Sequence, residues 1–245
     1  MVSSKKNSYQ NPALIEAVFE LRFPANPRWG MGSVVKFANL ASAEGYPEVV
    51  DSADGFQINF TTNKNKPEFR PVSRRIQTWN KEGNELWQAS AELFAANRRA
   101  PYAGWNEFRP HILKGFQLYQ NLAKHKKANH LSLQYVNRIE FDKQDTAGSF
   151  LIFMPPEISY ADVINAQTCN SQQTFKDGDT ITVTAGLNLM DGEKPAMILN
   201  LTYTSPSPPL KMEELMKKID IAHRRIIDAF EKSITDKQRE RMVKV

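Results

Sequence analysis

The sequence predicts an α+β fold in which antiparallel sheet, arranged in two similar halves, carries one long helix packed on one face of each half. In several short segments every second residue is apolar, and tight turns join these segments, which is typical of antiparallel strands. Two longer segments have apolar residues three or four positions apart, which is typical of helices that cover a sheet. The order of the segments repeats once along the chain.

The first half spans residues 11–127, after a polar tail at residues 1–10 that we expect to be disordered. Alternation predicts a first strand over Ile15–Phe23, and a short helix is expected over Ser33–Ser42. Three further strands are predicted over Phe56–Phe60, Phe69–Trp79 and Glu85–Ala96. Asn106 is the expected cap of a helix that continues to about Lys124.

The second half spans residues 128–245 and begins with the clearest strand of the chain, Leu131–Phe141. Four more strands and a closing helix are predicted, over Phe150–Met154, Ala166–Phe175, Thr180–Met190, Ala196–Thr204 and Lys211–Ile234. The patterns leave open whether two similar sheets lie side by side or one continuous sheet runs through both halves. We expect the two halves to form one compact unit.

Composition excludes several classes of protein. The 245 residues are 41% hydrophobic and 24% charged, which is typical of a soluble globular protein. No apolar run of about 18 residues is present, so we expect no contact with a membrane. The N-terminus has no apolar core of a secretory signal, so a cytoplasmic location is expected. One cysteine, Cys169, and four scattered histidines do not make a structural zinc site, so we expect no metal and no cofactor.

Sequence motifs of catalysis are also missing. The chain contains no phosphate-binding loop, no zinc-protease motif, no nucleophile elbow and no dinucleotide fingerprint. No catalytic residue is predicted, and a non-enzymatic role is favoured.

Charge is distributed unevenly along the chain. Between Gln57 and Lys127, thirteen Lys and Arg residues stand against five Asp and Glu, whereas between Ala128 and Leu210 four stand against nine. A basic block beside an acidic block suggests a protein partner or self-association through charge. The simpler interpretations are two solvated sheet faces, or two blocks that face each other within the molecule.

Part of the basic block has aromatic residues between its cations. Basic groups neutralise phosphates and aromatic rings stack on bases, so this stretch is a candidate surface for single-stranded nucleic acid. Its residues are Arg70, Arg74, Arg75, Trp79, Trp87, Arg98 and Arg99. The alternative is that the tryptophans belong to the core and the arginines are solvated.

The strand Leu131–Phe141 contains one residue that breaks its pattern. Asn137 falls on the apolar face, where a buried amide must find hydrogen-bond partners. It is either a structural pin or part of a ligand site. Arg138 and Glu140 share the polar face, where they either pair or bind a ligand together.

Several segments together resemble a sporadically distributed bacterial family of uncharacterised proteins of similar length. They follow one another along nearly the whole chain: Asn11–Phe23, Leu86–Gln88, Asn97, Pro101–Phe108, Tyr135–Glu140, Ala222–His223, Phe230–Glu231 and Ile234–Asp236. The chain departs from the family at Gln238 and Met242, where apolar residues are expected, so a looser final turn is anticipated. The resemblance implies a prokaryotic origin and no activity, cofactor or catalytic residue.

The patchy distribution of that family suggests mobile genes, such as phage-defence or toxin–antitoxin modules. The sequence therefore favours a non-enzymatic binding or interaction protein of such a module. A single-stranded nucleic-acid-binding protein and an enzyme without a recognised motif remain the alternatives.

Overall fold

The computed structural model describes Tyr9 and residues 12–26, 28–52, 55–59, 68–72, 75–140, 142, 147–152, 167–188 and 196–242. Eleven strands and four α-helices lie in this part of the chain. The strands are β1 (Leu14–Arg22), β2 (Glu48–Ser52), β3 (Gly55–Asn59), β4 (Glu68–Val72), β5 (Arg75–Trp79), β6 (Glu85–Ala89), β7 (Leu93–Arg99), β8 (His130–Glu140), β9 (Gln167–Thr174), β10 (Thr180–Asn188) and β11 (Ala196–Pro206). The helices are α1 (Met31–Ala43), α2 (Trp105–Ala123), α3 (Met212–Ser233) and α4 (Asp236–Met242).

Nine of the described strands form one antiparallel sheet, in the order β2-β5-β6-β7-β1-β8-β11-β10-β9. β1 and β8 pair at the centre, so the strand that opens the first half lies directly against the strand that opens the second. β3 and β4 form a separate two-stranded sheet. Their register is the one that would result if the pairing of β2 with β5 were extended along the chain. The predicted α+β class with antiparallel sheet is confirmed, and the sheet is continuous.

The helices and one face of the sheet share the core. A row of paired side chains crosses this face through Thr78, Trp87, Ala96, Phe19, Leu133, Tyr203, Ile181 and Gln173. Helix α2 presents Phe108, Ile112 and Phe116 to the core, and α3 presents Ile219 and Ile226. Residues of α1 and α4 belong to the same apolar cluster. We call this side of the sheet the helix face.

Four predicted elements differ from the structure. The segment Glu85–Ala96 is two strands, β6 and β7, with a turn between them, and Phe69–Trp79 is divided into β4 and β5. Strand β2 and helix α4 were not predicted. Helix α2 begins at Trp105 after Gly104, so the prediction that Asn106 caps it is wrong. Of the predicted strand Phe150–Met154, Leu151 forms an isolated bridge to Ile234, and its last two residues lie outside the described part.

The end of the chain is ordered as far as the structure describes it. Gln238 and Met242 are both buried, at 4% and 2% exposure, so α4 packs closely there and the expected looser turn is not seen. The amide oxygen of Gln238 has no hydrogen-bond partner in the structure.

Candidate binding face

The helices that share the core lie against the helix face, and we call the opposite side of the sheet the helix-free face. Its side chains alternate with those of the helix face, and none of them belongs to the apolar cluster that the helices share. One row on this face runs across all nine strands of the sheet: Glu48, Trp79, Leu86, Asn97, Val18, Gln134, Thr202, Thr182 and Gln172.

The part of this face formed by β8, β11, β10 and β9 is polar and almost uncharged. Most of its side chains are hydroxyls and amides: Ser132, Gln134, Thr168, Asn170, Gln172, Thr174, Thr180, Thr182, Thr184, Asn200, Thr202 and Thr204. The amide of Gln134 donates to Oδ1 of Asn200 over 2.9 Å, which fixes the orientation of both groups. Hydroxyls and amides both donate and accept, so this surface suits a partner that forms many neutral hydrogen bonds.

The part formed by β5, β6, β7 and β1 carries a continuous hydrogen-bonded network. Gln88 accepts from Gln77 and donates to Asn97, and Asn97 donates to Glu16 over 2.9 Å. Gln88 and Asn97 are only 9% and 7% exposed, so their orientation is held by these bonds. Arg75 also donates to Gln88. Because both amides are buried, a partner can meet only the half-buried members of the network, Arg75, Gln77 and Glu16.

The structure places three of the seven residues predicted to bind nucleic acid on one face of the sheet, and two of them are in contact. Arg75, Trp79 and Arg99 occupy the helix-free face, and the Arg99 guanidinium lies 4.6 Å from the centroid of the Trp79 ring. A guanidinium over an indole is a favourable cation–π pair. Arg74 lies outside the described residues, as does the side chain of Arg70.

Trp87 and Arg98 lie on the helix face, which separates them from the other three. Trp87 is fully buried, its indole N–H donates to the carbonyl of His111, and its ring lies 3.9 Å from that of Tyr46. No base can stack on Trp87 in this position, so we remove it from the candidate site. Arg98 pairs with Glu85 over 2.7 Å, and its side chain is 14% exposed.

Asn137 points to the helix face and is 4% exposed, away from Arg138 and Glu140. Its amide donates to the carbonyl of Leu199 on β11 over 3.1 Å. Arg138 and Glu140 pair with each other over 3.2 Å on the helix-free face. The three residues therefore do not converge on one ligand site.

A polar and aromatic cluster that sequence reasoning missed lies between α2, α3 and β8. The hydroxyl of Tyr135 hydrogen-bonds to Nδ1 of His223 over 2.9 Å and to the hydroxyl of Tyr102 over 3.2 Å. Burial lowers the pKa of His223 to about 4. Asp220 accepts two hydrogen bonds from Arg109 and one from Trp105, which joins α3 to α2. The only signal in the sequence is that His223 follows an apolar position of the α3 stripe.

A further group outside the predicted site residues is a buried carboxylate. Asp179 in the turn before β10 is 1% exposed and is bound by Lys218 and Arg225 of α3, both over 2.7 Å. Tyr203 donates to the same carboxylate. Arg225 also lies 3.9 Å from the ring centroid of Phe175. These contacts fix α3 to the β9–β10 hairpin, and two cations on one acid leave no position for a metal.

No group of three or more candidate metal ligands occurs among the described residues. Within the same residues, no helix combines the length and apolarity needed to cross a membrane. Cys169 is a free thiol on β9.

Comparison with known proteins gives no further guide to this site. No family model, no curated protein and no solved structure matches the chain.

Proposed function

We propose that this chain is a non-enzymatic binding protein whose helix-free face holds a protein partner. The observation that carries the proposal is a wide sheet with its helices on one side and preorganised neutral polar groups on the other. In the described part of the chain, four arginines on this face (Arg22, Arg75, Arg99 and Arg138) stand against four glutamates (Glu16, Glu20, Glu48 and Glu140).

This balance favours a protein partner over a polyanion. Affinity for a phosphate backbone requires an excess of cations, because binding is driven by release of the counterions around the phosphates. A neutral face of hydroxyls and amides lacks that excess. It suits the mixed polar surface of a protein, where hydrogen bonds fix the register of the partner.

The test is a pull-down with the native protein after nuclease treatment, followed by reconstitution with the purified candidate partner. Thr182→Arg and Thr202→Arg place bulky charges on neighbouring strands of the face. We expect each to weaken the reconstituted complex by about tenfold or more, because a buried unpaired charge is costly at an interface. The matched control is Gln117→Arg on the exposed side of α2, which should leave affinity unchanged. Equal affinity in all three variants would place the partner elsewhere.

A second candidate function, binding of single-stranded nucleic acid, is favoured by the grouping of Arg75, Trp79 and Arg99. The Trp79 ring and the adjacent Arg99 guanidinium provide one stacking position and one phosphate contact. Arg75 lies at the other end of β5, about 13 Å along the strand, where it can reach a further phosphate. Fluorescence anisotropy with labelled single-stranded oligonucleotides tests it. Trp79→Ala should weaken binding by about fivefold or more, since one base–aromatic contact is worth about 1–3 kcal/mol. Lys217→Ala on α3 is the control, and affinity that is independent of salt would exclude this function.

The same proposal includes membership of the sporadically distributed bacterial family and a cytoplasmic location. It also includes a role in a phage-defence or toxin–antitoxin module. Self-association through the basic and acidic blocks is a further part of it. Light scattering at low and high salt tests self-association. A mass of one chain under both conditions would rule it out.

We also infer that the chain arose from two copies of one strand-and-helix unit. The strand order supports this: β1-β7-β6-β5 runs outward from the centre on one side, and β8-β11-β10-β9 runs outward on the other. A long helix follows β7 in the first series and β11 in the second. Production of residues 1–127 and 128–245 as separate chains tests whether the halves reassemble through the β1–β8 pair.

A further inference from the structure

A cleft lies at the end of the central strand pair, away from the polar rows of the helix-free face. Its volume is about 350 Å³, and it opens between the segment that follows β1 and the loop that follows α2. Pro24, Ala25, Asn26 and Arg28 form one side, and residues 122–127 form the other. We call it the basic cleft.

The residues that line the cleft make it strongly basic. Arg28, Lys124, Lys126 and Lys127 are all exposed, and no carboxylate lines the cleft. Within the described residues, none of these four cations forms an ion pair. Four like charges around one cavity repel each other, so an anion placed among them would be stabilised by all four.

The walls of the cleft are held in place by hydrogen bonds and stacking. The side-chain amide of Asn26 donates to the carbonyl of Ala123 over 2.8 Å, which joins the two sides. The amide of Gln120 donates to the carbonyl of His125 over 2.6 Å. The His125 ring stacks on Phe23 with 4.3 Å between centroids. The cations therefore project from a fixed frame, which lowers the entropy lost on binding.

Helix-dipole effects do not explain the whole arrangement. Cations near the C-terminus of α2 stabilise the helix, which suits Lys124, Lys126 and Lys127. Arg28 belongs to a different segment and faces the same cavity. In addition, the carbonyls of Gln120 and Ala123 already accept hydrogen bonds from Lys124 and Asn26, so the helix end does not direct free acceptors at an anion.

We propose that the basic cleft binds the phosphate groups of a small phosphorylated ligand of nucleotide size. The volume lies within the range of about 300–1,000 Å³ that small-molecule sites occupy. Lysines and an arginine supply the charge that phosphate oxygens require. Pro24, Ala25 and Leu122 supply an apolar wall for the remainder of such a ligand. The proposal is independent of the partner on the helix-free face.

The experiment is isothermal titration of the full-length protein with ATP, inorganic pyrophosphate and adenosine at low salt. We expect ATP and pyrophosphate to bind, and adenosine to bind at least about tenfold more weakly, because charge-assisted hydrogen bonds to phosphate are lost. Arg28→Glu and Lys126→Glu should each weaken ATP binding by about tenfold. Lys81→Glu and Lys232→Glu make the same change in net charge at exposed positions far along the chain and should leave ATP affinity within about twofold.

Circular dichroism of all four variants checks that they are folded, since each changed side chain is exposed. Three results would overturn the proposal. One is equal affinity for adenosine and ATP. Another is equal weakening by the control variants, which would indicate attraction to net charge alone. The third is that a single-stranded oligonucleotide binds through Arg28 while ATP and pyrophosphate do not bind. That result would assign the cleft to a nucleic-acid backbone.

Discussion

The imidazole of His223 lies parallel to the indole of Trp105, with 4.2 Å between ring centroids and 2° between planes. Trp105 is the first residue of α2, and His223 lies in the second half of α3. Through Nδ1 the same imidazole meets the hydroxyl of Tyr135 on β8. One side chain therefore connects both long helices to the central strand pair.

Acid is expected to destabilise the protein through His223 and His111. Burial lowers the pKa of each to about 4 in the folded state, and Glu85 offsets only part of this effect at His111. In the unfolded chain both titrate near pH 6.5. As the pH falls from about 6.5 to about 4, the unfolded chain binds protons that the folded chain does not, so stability decreases.

Urea unfolding at pH 7 and pH 5 measures this loss, which we expect to be about 1–2 kcal/mol per imidazole. His223→Gln should reduce the difference between the two pH values, since glutamine does not titrate. NMR titration of the folded protein should leave both imidazoles neutral at pH 5. Titration of either near pH 6.5 in the folded state would contradict the prediction.

Replacement of Gly115 by alanine is expected to destabilise the core severely. A Cβ at this position would lie 2.3 Å from Nε1 of Trp87, which is fully buried and bonded to the carbonyl of His111. Neither the indole nor α2 can move without breaking the hydrogen bond from the Trp87 indole to the His111 carbonyl. We expect a loss of about 3 kcal/mol in urea unfolding, at the upper end for overpacking. Gly32→Ala in α1 is the control, since a Cβ there meets nothing within 4 Å and the change should be neutral or slightly stabilising.

Asp179→Asn is expected to weaken the attachment of α3 to the β9–β10 hairpin. The change removes the buried partner of Lys218 and Arg225 and leaves them only the exposed Asp177, at a cost of about 3 kcal/mol. Burial alone would raise the pKa of Asp179, but hydrogen bonds from Lys218, Tyr203 and Ser205 hold this pKa below its ordinary value. Because the pKa is depressed in the folded state, the contribution of Asp179 is present at neutral pH and is lost as the pH falls below about 4.

The matched control for this carboxylate is Asp177→Asn. Its side chain is 44% exposed and contacts the same two cations at longer distances, so its removal should cost less than about 1 kcal/mol. Chemical denaturation at pH 7 compares the two. Equal losses would show that the burial of Asp179 does not matter.

Variants of Asn137 test whether this residue has a structural role or belongs to a binding site. Its amide bonds to Leu199 within the core, so Asn137→Ala should lower stability by about 2 kcal/mol in thermal or urea unfolding. Asn137→Leu should cost less, since it fills the space with apolar atoms. Neither variant should alter the affinity for a partner on the helix-free face. Loss of affinity in a fully folded Asn137→Leu protein would restore this residue to the binding site.

Sequence patterns predict strands best where the two faces of the sheet differ. In β8 the alternation of buried and half-buried residues is complete from Leu131 to Ile139, and the strand was predicted almost to its ends. In β6 and β7 it fails, because Leu86, Trp87, Gln88 and Ala89 are buried in succession. Without alternation, the turn at residues 90–92 is invisible, and one long strand was predicted where two exist.

Only part of the candidate binding face can be predicted from the sequence. Alternation correctly places Arg75 and Trp79 on the same side of one strand. The pairing register is needed to bring Arg99 over Trp79, and no local pattern encodes that register. The meeting of Trp105 with His223 is likewise a long-range contact between two helices, which is why that cluster was missed.

The position of β1 has a bearing on how the chain folds as it is made. Phe19 pairs with Ala96 on one side and Leu133 on the other, and both partners are synthesised long after it. β1 therefore leaves the ribosome before both neighbouring strands and remains without them until they have followed. Such high contact order slows folding. During that interval an apolar strand is exposed, and this nascent segment is where we expect a chaperone to bind.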